Sequence, residues 1–153
     1  MSRLGIRCVY YWKGNFSEKM VYLPDGETQV KDEMFADDQS LVRVELSEGI
    51  TEIGEAAFIN CTKLQFVRMP DSITKIGASA FAECEELDGV VIPNRVTEIS
   101  WGLFENCKKL ESCTLGENVR RICYHAFYGC DLLPALKLPD SLKEMDECAF
   151  SPW

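Results

Sequence analysis

Histidine occurs once in this chain, at His125. A lone imidazole excludes a histidine-rich metal centre, and no serine or cysteine is clearly placed beside it for nucleophilic activation. Long apolar runs are missing too. None approaches the roughly 20 residues needed to span a bilayer, so no membrane insertion is expected. Basic residues are few, with 16 Lys and Arg against 25 Asp and Glu and a net charge of −9. That balance argues against direct nucleic-acid binding and against an anionic membrane surface. There is no Gly-rich phosphate loop between a strand and a helix, no metal-ligand spacing and no nucleophile–base pair. The sequence therefore predicts no enzyme, no cofactor, and no catalytic or metal site. The start, Met1-Ser2-Arg3-Leu4-Gly5, holds no apolar core before a small-residue cleavage site. This reads as cytoplasmic, or as a surface or secreted protein whose signal was removed.

What the chain has in abundance is repetition. The phrase Ile-Gly-x-x-Ala-Phe-x-x-Cys-x-x-Leu runs through Ile53–Leu64 and Ile76–Leu87. It returns with edits in Ile99–Leu110 and Ile122–Leu133, and starts again at Met145. The period is 23 residues, and a period in this range marks a stacked solenoid. Six units fit after a leader: 19–41, 42–64, 65–87, 88–110, 111–133 and a truncated 134–153. The third and fifth positions of each unit are apolar, as in Val44/Leu46, Val67/Met69, Val90/Ile92 and Leu136/Leu138. Alternation of this kind predicts a short strand with one buried face. Proline closes it at Pro24, Pro70, Pro93 and Pro139. Position thirteen carries Gly54, Gly77, Ser100, Cys123 and Asp146. Gly, Ser and Asp are helix N-cap types, so a short helical turn is expected next. The predicted class is an α/β repeat with a parallel sheet on one side and short helical turns on the other.

Phe35, Phe58, Phe81, Phe104, Phe127 and Phe150 fill one slot per unit, and stacking would put them in one internal column. Alanine usually precedes the phenylalanine, which lets coils approach closely; Leu103 breaks the rule mid-stack and should push locally. Cys61, Cys84, Cys107 and Cys130 recur at the same 23-residue spacing. They read as a ladder of small buried side chains. Rungs about 4.8 Å apart with parallel Cβ vectors suit neither disulfides nor a convergent zinc site. A Cys123–Cys148 bridge between neighbouring units stays open. So many free thiols fit a reducing compartment.

Residues 1–18 read as a capping strand and hairpin, with Ile6, Cys8, Tyr10 and Trp12 on one face and a turn at Lys13-Gly14-Asn15. At the other end the chain stops mid-unit, with Trp153 in the cysteine slot. Trp153 either plugs that end or leaves it open for a homo-oligomer. In the first unit Glu27 and Asp38 occupy apolar slots, which predicts a partly solvated coil.

The strand's second and fourth positions should face outward. Met20, Tyr22, Phe66 and Val91, bordered by Arg43, Glu45 and Arg68, make an aromatic–arginine strip of the kind enriched at interface hot spots. Trp101, Tyr124, His125 and Tyr128 make a second candidate patch on the opposite side; there the rings either present a surface or fold onto one another.

The repeated phrase, with Ile-Pro or Leu-Pro closing the strand, resembles the BspA-like (Treponema pallidum type) leucine-rich repeats over about residues 19–153. The resemblance implies a right-handed solenoid and a non-enzymatic protein-binding role, adhesin-like or in host interaction. It brings no catalytic residues. Two alternatives rest on other features. Residues 25–55 hold ten acids against two bases, Lys31 and Arg43, which suits an acidic mimic that occupies a basic nucleic-acid-handling protein. The truncated last unit suits a structural, self-associating role.

Overall fold

The computed structural model describes residues 7–13, 16–22 and 26–150; side chains are described only for 26–150. Met20 and Tyr22 therefore enter through their backbone alone, and Trp153, Pro24 and Gly14-Asn15 lie outside the described residues.

The chain winds into a β-solenoid of about five turns. It opens with an antiparallel hairpin, β1 (Arg7–Lys13) on β2 (Phe16–Tyr22). Each coil then gives one front strand: β4 (Arg43–Leu46), β6 (Phe66–Arg68), β8 (Gly89–Val91) and β10 (Ser112–Thr114). The front sheet runs β1-β2-β4-β6-β8-β10, parallel from β2 onward. A second row of two-residue strands flanks the core: β3 (Gln29–Val30), β5 (Glu52–Ile53), β7 (Lys75–Ile76), β9 (Glu98–Ile99), β11 (Arg121–Ile122) and β12 (Glu144–Met145). The repeat period sets both registers, with Arg43 opposite Phe66 and Ile53 opposite Ile76.

Two expectations about strands need correction. β2 pairs with β4 two residues away from the repeat register, so Met20 faces Glu45 across the ladder and not Arg43. β2 is held over its whole length by β1, and that hairpin register overrides the repeat. Leu136/Leu138 form no strand, and Leu138 is exposed. The cause is Pro134. In earlier coils the equivalent amides, Gln65, Asp88 and Glu111, donate the first rung to the preceding coil. Proline has no N–H to donate.

The side opposite the front sheet also differs from expectation: no helix follows position thirteen. Successive amides instead alternate between two jobs. Ala57, Ile59 and Cys61 donate within their own coil to Gly54, Ala56 and Phe58, while Ala56, Phe58 and Asn60 donate to Ala78, Ala80 and Ala82 of the next coil. An α-helix would keep all these bonds inside one segment. Two left-handed residues per coil enforce the pattern. One column holds Glu33, Ala56, Ser79, Gly102, His125 and Cys148; the other holds Asp37, Asn60, Glu83, Asn106 and Gly129. Side-chain amides brace the second column, Asn60 Nδ2 to Asp37 Oδ1 at 2.7 Å and Asn106 Nδ2 to Glu83 Oε1 at 2.8 Å. Gly54 and Gly77 are not caps. A Cβ on Gly54 would lie 2.5 Å from the Asp32 nitrogen, so glycine there permits close coil contact.

The core is a phenylalanine column. Adjacent rings stack at 5.1, 5.2, 5.9, 5.6 and 5.2 Å from Phe35 to Phe150. Burying each ring is worth about 1.5–3 kcal/mol before entropy. The widest step, Phe81 to Phe104, adjoins Leu103, which is buried where neighbouring coils have alanine. At the same coil interface both strand rows are thinned, although the turn-side bonds such as Ser79 to Trp101 at 2.8 Å persist. β6 and β8 share one register pair, Phe66 with Gly89. The second row splits into separate sheets, β3-β5-β7 and β9-β11-β12. At the split the Ser100 hydroxyl donates to the Ile76 carbonyl, which elsewhere receives the position-thirteen amide, as in Gly77 to Ile53 at 2.8 Å. A seam thus lies between the third and fourth units.

The cysteine slot has a hydrogen-bonding role beyond its size. Cys61, Cys84, Cys107 and Cys130 each donate the thiol to a phenylalanine carbonyl one coil back, at 3.0–3.3 Å. Cys123 and Cys148 are free, with no bridge between them. Burial raises the Cys84 and Cys107 thiols well above the ordinary value and pushes Cys113 and Cys130 up to about 12. The folded chain keeps these protons while the unfolded chain loses them above about pH 8.5. Their contribution to stability is complete below that pH and declines as pH rises toward about 12. Urea midpoints should fall between about pH 8 and 11, and less steeply in Cys113→Val, which supplies the valine of Val44, Val67 and Val90 in the same slot. Identical slopes in both chains would remove Cys113 from the account.

Candidate protein-binding surface

A three- or four-residue strand with alternate residues buried leaves two outward columns on the front sheet. Their coil-to-coil order is Arg43, Phe66, Gly89, Ser112 and Glu45, Arg68, Val91, Thr114. The strip read from the sequence is assembled from Arg43 through Val91. Phe66 is 37 % exposed and Val91 64 % exposed, although valines 67 and 90 beside them are buried. The Arg43 guanidinium carbon sits 4.7 Å from the Phe66 ring centroid, a cation–π contact that holds the ring at the surface. Arg68 Nη1 lies 3.6 Å from Glu45 Oε1 along the other column. An exposed pair of this kind orients the two groups more than it stabilises the fold.

Between Phe66 and Ser112 the column has no side chain, because position 89 is glycine. A cleft of about 650 Å³ lies along this stretch, walled by Phe66, Arg68 and Val91. Glu48, Asp71 and Asp88 stand at its rim. Sequence reasoning placed Gly89 in an outward column but missed the cleft beside it, and it missed the three carboxylates, which lie just outside the strands. The one available signal was a glycine at a position where every other unit carries a side chain.

The second patch is also assembled, as a packed cluster. Trp101 and Tyr124 are tilted at 46° with centroids 5.3 Å apart. His125 is stacked between Tyr124 at 3.9 Å and Tyr128 at 4.2 Å, with Nδ1 3.5 Å from Glu105 Oε1. The rings spend much of their surface on one another, though Trp101 keeps 58 % exposure. Trp101 also walls a smaller cleft of about 410 Å³ at the back of the seam.

The acids of the first units do not gather on one face. Glu45 is on the front sheet, Glu52 on the second row, and Glu33 and Asp37 in the turns. Several are engaged: Asp32 Oδ1 accepts the Glu55 amide at 2.8 Å, and Asp38 Oδ1 accepts the Ser40 amide at 2.9 Å. Among the described residues no group of three or more His, Cys, Asp or Glu is placed to hold a metal, and no helix is long and apolar enough to cross a membrane.

Comparison with known proteins decides the family. Six copies of the BspA type leucine-rich repeat region match residues 28–152. The chain belongs to that family. Leucine-rich-repeat proteins of this kind are generally binding modules, and no catalytic family is indicated. No curated protein matches the chain. Among solved structures, the leucine-rich repeat protein of T. pallidum is 28 % identical with a TM-score of 0.62, over 90 % of this chain and 82 % of that one. The pneumococcal vaccine antigen PcpA is 24 % identical with a TM-score of 0.64, over 86 % of this chain. A leucine-rich cell surface protein from Faecalibacterium prausnitzii is 23 % identical with a TM-score of 0.54, over 94 % of this chain. The chain spans 31 % of PcpA and 53 % of the F. prausnitzii protein. The last two likenesses establish shared fold alone.

Proposed function

We propose that this leucine-rich-repeat chain works by display, presenting its front sheet to a protein partner, in an adhesin-like or host-interaction role. The observation that carries the reading is Phe66, a large ring held at the surface by Arg43 beside an open cleft. The solenoid fixes these groups before binding, so little ordering entropy is lost on association. Aromatic and arginine side chains with desolvated neighbours are the usual source of interface energy. The free thiols favour a reducing setting.

The test uses wild type, Phe66→Glu and Trp101→Ala as parallel baits against lysate, surface and host extracts. Phe66→Glu should lose the partner by tenfold or more, about 1.4 kcal/mol or above, and Trp101→Ala should retain it. The reverse pattern moves the site to the aromatic cluster. The fraction that yields the partner settles the setting.

A further inference from the structure

We propose that the front cleft is a socket for one apolar side chain of an extended partner segment, with lysine or arginine on both sides of that residue. This rests on the front-face reading above and specifies the partner's chemistry.

The shape argument starts from Gly89. It faces Phe66 in register, and a Cβ built on it would meet the Ser112 hydroxyl at 2.7 Å. The Ser112 hydroxyl therefore bounds the cleft on the β10 side, and the cleft of about 650 Å³ has ample room for an apolar side chain. Its walls, Phe66 and Val91, are apolar and exposed. A leucine- or methionine-sized group fits between them, and removing it from water supplies the anchor energy.

The charge argument is independent. Asp88 directly precedes β8, while Asp71 and Glu48 follow β6 and β4, and all three strands are parallel. Carboxylates thus stand at both ends of the cleft along the strand direction, with Phe66, Val91 and the Arg68 side chain between them. Among the described residues none of the three forms an ion pair, whereas the cation beside them, Arg68, is turned to Glu45. An acidic segment would meet like charge at both ends; a basic one would be complementary at both. The chain's net charge of −9 steers the same partner toward it.

The test measures fluorescence anisotropy of labelled synthetic peptides against the full chain. One peptide carries a central leucine flanked by lysines, one the same leucine flanked by glutamates, and one the lysines around a central serine. The lysine–leucine peptide should bind at least about tenfold more tightly than either of the others. Gly89→Val fills the socket and should cost a similar factor; matched circular dichroism spectra show that it folds. Should Gly89→Val unfold, the double variant Asp71→Lys/Asp88→Lys at exposed positions should reverse the flank preference. Glutamate-flanked binding that Phe66→Glu abolishes would overturn the charge assignment and leave the front-face reading standing. Lysine–leucine binding untouched by both Gly89→Val and Phe66→Glu would overturn both. No binding of any peptide at millimolar concentration would overturn the socket.

Discussion

Phe81→Ala should lower unfolding stability by about 3–5 kcal/mol, the range for removing a fully buried ring. Phe81 is fully buried, with Phe58 at 5.2 Å and Phe104 at 5.9 Å on either side. Neither neighbour can fill the gap, because each is held by backbone bonds within its own coil and to the next. The loss is large against a typical total of about 5–15 kcal/mol. Phe150→Ala is the internal comparison. Phe150 is only part-buried and, among the described residues, has one stacked neighbour, Phe127, so its loss should be roughly half as large. Chemical denaturation followed by circular dichroism measures both. Equal losses at the two positions would mean that the column is not a stack of separately packed rings.

Gly77→Ala should destabilise by about 3 kcal/mol, the upper end of the overpacking range. The new methyl carbon would lie 2.5 Å from the Glu55 nitrogen and 2.8 Å from its Cα. These are backbone atoms, so relief requires the coils to separate. Separation strains two bonds at once, Gly77 to Ile53 at 2.8 Å and Ala56 to Ala78 at 2.9 Å. Gly49→Ala isolates the other reason a glycine matters. Gly49 has φ +97° with nothing within 4 Å of its Cβ position, so only left-handed strain remains, about 1–2 kcal/mol. A larger loss at Gly49 than at Gly77, from the same denaturation curves, would refute the close-approach account.

The repeat made the solenoid legible because every coil must satisfy the same neighbours. Val44, Phe58 and Leu64 are buried, as are their copies in the next two units. Periodicity did not reveal the form of the turn side. A glycine at position thirteen serves a helix cap and a close coil contact equally well, and residues such as Ala56 and His125 hold left-handed conformations that their side chains do not advertise. Asn60, Asn106, Gly102 and Gly129 were the clues, since these types adopt that conformation most readily. The last front strand failed for one atom, the amide hydrogen that Pro134 lacks. The outward placement of Arg43, Glu45, Phe66, Arg68 and Val91 was readable, because outward columns follow from strand alternation. The cleft was not, because its depth depends on how neighbouring coils pack and its carboxylates lie beyond the strand ends.

The interface between the third and fourth units gives the protein a place to yield. A solenoid pulled at its two ends carries load through rung after rung of nearly identical strength, so a regular stack would fail wherever fluctuation chose. Here one rung has lost its second-row pairing, keeps one register pair in front and has the widest ring spacing. The load is equal at every rung, so the rung with the fewest strand bonds should part first, separating two blocks before either unravels. The cleft around Gly89 spans that junction, so any molecule that bridged its two walls would raise the load needed to part the blocks.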